Sequence, residues 1–241
     1  MPQIIIDNEK YEYELIESKR RKTLGINIDR IKGMTIRVPK GTKKEDVEKA
    51  LMSKKKWIKR KIIEIGEIKL QDKPKEFVGG ESFYFIGRNY KLKVIAEDCR
   101  DVEVILKDGE FKAYVPNIKK KNEYQKEIKS KLIDWYKKEA IAILRERVDI
   151  FTSKIGKGPK DVAIKNYKKK WGKTTKDGKI VFNWKLIMAP MSIIDYIVAH
   201  EMCHLVIFDH SKKFWSLVNT LILNVDEKSE WLRINGLLLN I

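Results

Sequence analysis

The placement of the histidines constrains this chain more than any other feature. The sequence has only three, at positions 200, 204 and 210, all within eleven residues. Positions 200–204 form the pattern H-E-x-x-H inside the apolar segment 192–207, for which we predict a helix. Residues four apart on a helix lie about 40° apart around its axis and one turn along it. Both imidazoles can therefore reach one metal ion from the same helical face.

The third histidine completes a ligand set only if this helix stops early. On a continuous helix, His210 would point about 80° away from His200 and lie roughly 9 Å beyond His204. The helix must therefore end near residues 206–208, and Asp209 and Ser211 favour the turn that follows. A catalytic zinc takes three protein ligands and keeps a fourth position open. We predict one Zn²⁺ per chain on the three histidines, although three imidazoles also suit copper and nickel.

The glutamate between the histidines has the position of a general base. Glu201 is rotated about 100° from His200, so we expect it to take a proton from zinc-bound water rather than bind the metal. We expect Cys203 to be a small buried side chain. The face opposite the histidines is apolar and predicted to be buried, at Ile194, Val198, Met202 and Leu205.

The remaining patterns predict an α+β fold with two parts. Residues 1–120 are expected to be mostly antiparallel β-structure with a helix over about 42–65. Four antiparallel strands are predicted over the segments 82–87, 89–96, 101–107 and 110–116. Residues 121–241 are expected to form the catalytic domain, with a long helix and with the active-site helix packed on a small sheet. We find no internal repeat in the sequence.

A lysine-rich segment precedes the histidine helix. We predict a strand over 167–175 that lines the cleft, with Lys168 and Lys170 on one face and Trp171 on the other. We expect these three residues, together with Tyr167 and Asn183, to contact substrate. A solvated run of lysines on an exposed edge is the alternative interpretation.

Net charge leaves two interpretations open. The chain has 52 Lys and Arg against 34 Asp and Glu, a formal charge of +18. This excess can serve a partner rich in phosphate or carboxylate, such as nucleic acid or a nucleotide, or it can reflect codon usage. The sequence has no uncharged apolar run of 18 residues and no apparent signal peptide, so we expect no membrane contact and a cytoplasmic location.

Residues 165–220 resemble the YgjP-like metallopeptidase domain, a relative of the SprT and WLM zincins. The resemblance implies a zincin-like domain over 121–241, with His200, His204 and His210 as zinc ligands and Glu201 as the acid–base. One departure is Lys173-Thr174, where the family usually has Ser-Cys. The matching marks are Trp171-Gly172, Asn183-Trp184, Ala189-Pro190, residues 195–201, His210-Ser211 and Phe214-Trp215.

Three functions fit these features. The first is a zinc-dependent metallopeptidase acting on a peptide or protein substrate, with water activated by Glu201. The second is a metal-dependent nucleotide pyrophosphatase, an activity proposed for a relative of the family. The third is a basic nucleic-acid-associated module with a structural zinc. The glutamate favours an enzyme, because a structural site has no use for a base.

Overall fold

The computed structural model describes residues 2–7, 9–29, 33–62, 75–117 and 121–241, which form two compact units, Met1–Lys73 and Pro74–Ile241. The sequence-based boundary at 120/121 therefore falls inside the second unit. The strands between residues 82 and 116 belong with the long helix because their side chains share one core with it. The fold is α+β, as predicted: the described residues form six helices and three mixed sheets.

The first unit is a four-stranded sheet with two helices. Its sheet has the order β1-β2-β4-β3, in which only the β2–β4 pair is parallel. Fully buried Ile6, Ile36, Leu51 and Ile58 join the sheet to the helices in one core. The elements are β1 (Gln3–Ile6), β2 (Glu9–Ser18), β3 (Gly25–Asp29), β4 (Gly33–Pro39), α1 (Lys44–Ser53) and α2, described over residues 55–62.

The second unit begins with a sheet of the same topology. Its order is β5-β6-β8-β7, and again only the central pair, β6–β8, is parallel. The prediction of four antiparallel strands was therefore wrong for this pair. The Asp108-Gly109 turn joins β7 to β8 and brings β8 back alongside β6 in the same direction. These strands are β5 (Ser82–Phe85), β6 (Arg88–Glu97), β7 (Glu103–Lys107) and β8 (Glu110–Pro116).

A 35-residue helix, α3 (Lys121–Ile155), connects this sheet to the rest of the unit. Its buried face repeats every four residues, so one apolar stripe runs along the helix. Tyr136 lies at the centre of this stripe, and its hydroxyl donates a hydrogen bond to the Tyr84 carbonyl at 2.5 Å. The stripe consists of Ile128, Leu132, Tyr136, Ala140, Leu144 and Val148.

The third sheet lies next to the histidine helix. It has the order β10-β11-β9, so β10 is an edge strand. The predicted strand over 167–175 is shorter than expected: only Gly172–Thr174 are extended, and residues 166–171 form a loop. The elements here are β9 (Asp161–Lys165), β10 (Gly172–Thr174), β11 (Lys179–Asn183), a 3-10 turn (Trp184–Met188), α4 (Met191–Cys203), α5 (Lys212–Leu221) and α6 (Val225–Asn235).

The start of α4 is fixed by the β5–β6 turn. The backbone N–H groups of Ile86 and Gly87 donate to the carbonyls of Ile187 and Met188 at 2.8 and 3.2 Å. Gly87 has a φ of +74°, and a Cβ there would lie 2.9 Å from Pro190. The first sheet of this unit therefore sets where the histidine helix begins. In the described part of the chain, every helix is too short or too polar to cross a membrane.

Candidate metal centre

The histidine helix, α4, is held by contacts on several sides. Ile194, Val198, Met202 and Leu205 are all buried, as predicted for the face opposite the histidines. Asp195 accepts two hydrogen bonds from Arg147 of α3, at 2.6 and 2.8 Å. Helix α4 is therefore anchored to α3 by a bidentate ion pair as well as by apolar packing.

The helix ends where the third histidine requires it to end. The last helical residue of α4 is Cys203, and turns follow over residues 204–206. Lys157 donates from Nζ to the Leu205 carbonyl at 2.6 Å, which satisfies one of the free carbonyls beyond the helix end. Asp209 then accepts a hydrogen bond from the Ser211 N–H at 3.0 Å, forming the turn into α5.

This turn brings the three imidazoles together. One ring nitrogen of each of His200, His204 and His210 lies within 4.8 Å of the others. The Nε2 atoms of His200 and His210 are 3.2 Å apart. Zinc–nitrogen bonds of about 2.0–2.1 Å in a tetrahedron place ligand nitrogens about 3.3–3.4 Å apart. The spacing of this pair therefore fits one edge of a zinc coordination tetrahedron.

Hydrogen bonding and packing orient the rings. His204 Nδ1 lies 3.0 Å from the Ile207 carbonyl, which can only accept. The proton must therefore be on Nδ1, which leaves the Nε2 lone pair free for a metal. Buried Phe214 lies against all three imidazoles, with ring centroids 5.0, 4.4 and 4.9 Å from those of His200, His204 and His210.

His200 is kept neutral by its surroundings. Burial, with smaller contributions from His204 and His210, lowers the pKa of His200 to about 4. Its Nδ1 is buried, and it alone among buried side-chain nitrogens and oxygens of the described residues has no hydrogen-bond partner. No hydrogen bond at Nδ1 therefore orients this ring, and a neutral imidazole is the form that binds a metal. The donor set of three imidazoles fits zinc.

The carboxylate of Glu201 is buried beside β10. The side chain is only 6% exposed. The Thr174 hydroxyl lies 2.7 Å from the Glu201 carbonyl and 2.8 Å from its Oε2, so it can donate to either oxygen. A Cβ on Gly172 would lie 2.6 Å from Glu201 Cγ and 2.8 Å from Oε1. The strand can lie this close to the carboxylate because residue 172 has no side chain.

Two opposing influences act on this carboxyl. Burial raises the pKa of Glu201, while the Thr174 hydrogen bonds and the positive charges of His210 and Lys170 lower it; the net direction is upward. The Glu201 carboxyl therefore holds a proton more readily than a fully solvated glutamate does.

Four of the five predicted substrate residues lie in the loop before β10. Lys168 and Lys170 are exposed, and Tyr167 and Trp171 are half-buried. Because this segment is not a strand, the predicted alternation of lysine faces does not apply. Asn183 is buried, and its amide nitrogen donates to the carbonyls of Tyr167 and Lys170 at 3.0 and 3.1 Å. It therefore holds the loop in place.

Three residues of the site were not predicted from the sequence. Thr174 and Phe214 contact the glutamate and the histidines, and Lys157 caps the helix end. Thr174 stands where the resembling family usually has Cys, a departure that could have drawn attention to it. Cys203 is fully buried, and burial raises the pKa of its thiol to about 11; it is not part of the histidine cluster.

Comparison with known protein families matches residues 22–235 to the family described as YgjP-like, metallopeptidase domain. No curated protein and no solved structure matches the chain. The family match supports a metallopeptidase-type hydrolase, and it agrees with a histidine cluster suited to a metal. Because the match covers most of the 241 residues, this chain belongs to the YgjP-like metallopeptidase family.

Proposed function

We propose that this protein is a zinc-dependent metallopeptidase that holds one zinc ion on His200, His204 and His210. The convergence of three imidazole nitrogens within 4.8 Å, next to a buried glutamate, carries the proposal. When bound, zinc would supply a Lewis acid and would lower the pKa of a water molecule toward neutrality.

Glu201 would act as the general acid–base. It would accept a proton from the attacking water and deliver that proton to the leaving amine. Thr174 would orient the carboxylate by its hydrogen bond to Oε2. Burial raises the pKa of Glu201, a change in the direction that favours the protonated form this transfer needs.

The edge strand β10 would bind the peptide backbone. In the described sheet, β10 pairs with β11 on one side only, which leaves its other edge open to an added strand. A peptide bound along this edge would pass close to Glu201, because Gly172 presents no side chain there. We also propose that Tyr167, Lys168, Lys170 and Trp171 contact the substrate, with Asn183 acting indirectly through the loop it holds.

Two other functions compete with this proposal. A nucleotide pyrophosphatase would use the same lysines to hold phosphates, and a nucleic-acid-associated module would use the basic surface without catalysis. We prefer the peptidase because an open strand edge beside a general base suits backbone recognition. Neither competing function has use for that edge.

Substrate assays with zinc-loaded protein test the proposal. A mixed peptide library, nucleoside triphosphates and single-stranded DNA would be incubated with the wild type, with Glu201→Gln and with Glu123→Gln, which makes the same change at an exposed position of α3. We expect the wild type and Glu123→Gln to cleave peptides at similar rates. Glu201→Gln should retain zinc but cleave peptides at least ~10²-fold more slowly. Hydrolysis of nucleotides without cleavage of any peptide would overturn the proposal.

A further inference from the structure

A basic groove lies beside the proposed peptide-binding strand. It has a volume of about 560 Å³ and opens between the 166–171 loop, the end of β11 and the C-terminal residues 232–240. None of the residues described as lining it is acidic. The cationic residues of the groove are Lys168, Lys169, Lys170, Lys185 and Arg233.

Most of these cations lack a carboxylate partner. Arg233 forms a bidentate pair with Glu230. The loop lysines 168–170 are exposed, and none of them forms an ion pair with another described residue. Lys185 is half-buried, and its Nζ donates at 2.6 Å to Oδ1 of Asn240, a neutral amide. The groove therefore holds an excess of positive charge that the described residues do not neutralise.

Lys185 is the least solvated of these cations. Burial lowers the pKa of its ammonium group. Its Nζ also lies 5.8 Å from the centre of the Trp184 ring. A cation that is partly removed from water is stabilised better by an anion than by an amide and an aromatic ring. A carboxylate in the groove would supply the missing partner.

The groove adjoins β10, the strand that packs against Glu201. Trp171 lines the groove, and its neighbour Gly172 lies against Glu201. Lys170, also a lining residue, is close enough for its charge to act on the pKa of the Glu201 carboxyl. A peptide bound along β10 could therefore extend into the groove without a break.

The lysine loop is held in a fixed shape. Asn183 donates to the carbonyls of Tyr167 and Lys170, and its own backbone N–H donates to the Trp171 carbonyl at 2.8 Å. Both ends of the lysine run are thus tied to the end of β11. A preorganised loop of this kind binds a ligand at a lower entropic cost than a free one.

We propose that this groove binds carboxylate groups of the peptide substrate, so that the enzyme selects peptides with acidic residues or a free C-terminus next to the cleaved bond. The inference rests on the proposed peptidase function and adds a substrate class to it. Side-chain and C-terminal carboxylates share the same chemistry, and the experiment separates them.

Binding can be measured apart from cleavage by using the zinc-loaded Glu201→Gln protein. The probes are fluorescent ten-residue peptides of alternating Ala and Glu or alternating Ala and Gln, each with a free or an amidated C-terminus. We expect the Glu peptide to bind about 10-fold more tightly than the Gln peptide at low salt. A preference for the free over the amidated form of the Gln peptide would identify the C-terminal carboxylate as the ligand.

Charge-matched variants locate the effect. Lys168→Gln combined with Lys170→Gln should abolish the preference, as should Lys185→Gln alone. Lys131→Gln combined with Lys138→Gln removes the same charge from exposed positions of α3 and should leave the preference intact. If both double variants lose the preference for the Glu peptide equally, the groove is not the binding site. Equal binding of all four peptides would also overturn the proposal. So would a result in which the lysine substitutions change the binding of single-stranded DNA but not that of any peptide.

Cleavage of the same peptides by the wild type separates this inference from the function on which it rests. Cleavage of Glu and Gln peptides at equal rates would contradict the groove proposal alone. Lysine-dependent binding of the Glu peptide without cleavage of any peptide would contradict the peptidase and leave the carboxylate site standing.

Discussion

Gly172 of β10 lies against the side chain of Glu201, so closely that a Cβ on residue 172 would be 2.6 Å from Glu201 Cγ. Real Cβ atoms do not approach other carbons this closely, so Gly172→Ala must displace either the strand or the carboxylate. We expect at least a ~10²-fold loss of peptidase activity, because general acid–base catalysis depends on placement. Bound zinc should remain, because the substitution does not touch a histidine.

A matched control for this change is Gly79→Ala. A Cβ at Gly79 has only one neighbour, at 4.0 Å, and its backbone conformation suits alanine. This variant should keep full activity. Unchanged activity in Gly172→Ala would show that Glu201 does not need the position it occupies here.

The hydroxyl of Thr174 can be removed without changing the size of the side chain. Thr174→Val loses the hydrogen bond to Glu201 Oε2, and hydrogen bonds to charged groups are worth about 1.5–3 kcal/mol. We expect kcat to fall about 10- to 100-fold, with zinc content unchanged and with activity restored by Thr174→Ser. Thr175→Val is the control, because the Thr175 hydroxyl bonds to the Lys179 carbonyl instead. Equal effects of the two valine substitutions would show that fold stability, not Glu201, is affected.

Metal binding should depend on each histidine. His204→Ala removes the ring whose Nδ1–H is held by the Ile207 carbonyl, so we expect bound zinc to be lost in elemental analysis. Because zinc binding stabilises the state that holds it, added zinc should raise the Tm of the apo wild type but not that of His204→Ala. Full zinc content in the variant would contradict the ligand assignment.

The parts of this site that the sequence predicts are those set by local geometry. Helical spacing places His200 and His204 on one face, and the only way to bring in His210 is to end the helix, as happens at Cys203. The α+β class follows similarly from short alternating segments and long apolar stripes.

The contacts that complete the site arise from distant parts of the chain. Thr174 and Glu201 are 27 residues apart, and no pattern in either segment encodes their meeting. The segment 167–175 was predicted to be one strand, but residues 166–171 form a loop. This loop forms because Asn183 takes the carbonyls that a neighbouring strand would use. The parallel β6–β8 pairing was missed for the same reason: strand patterns show which residues are extended, not which strands meet.

The ion pair between Arg147 and Asp195 should stabilise the placement of α4. Both side chains are 20% exposed, and two short hydrogen bonds join them. Asp195→Asn leaves the guanidinium with only a longer, 3.9 Å pair to the exposed carboxylate of Glu146, so we expect the free energy of unfolding to fall by about 1.5–3 kcal/mol. The control is Asp134→Asn on α3. Asp134 pairs with Lys137, and because their side chains are 65% and 47% exposed, this pair should contribute less than about 1 kcal/mol to stability. Urea unfolding measures both changes, and a loss at Asp195 no larger than that at Asp134 would show that this pair does not anchor the helix.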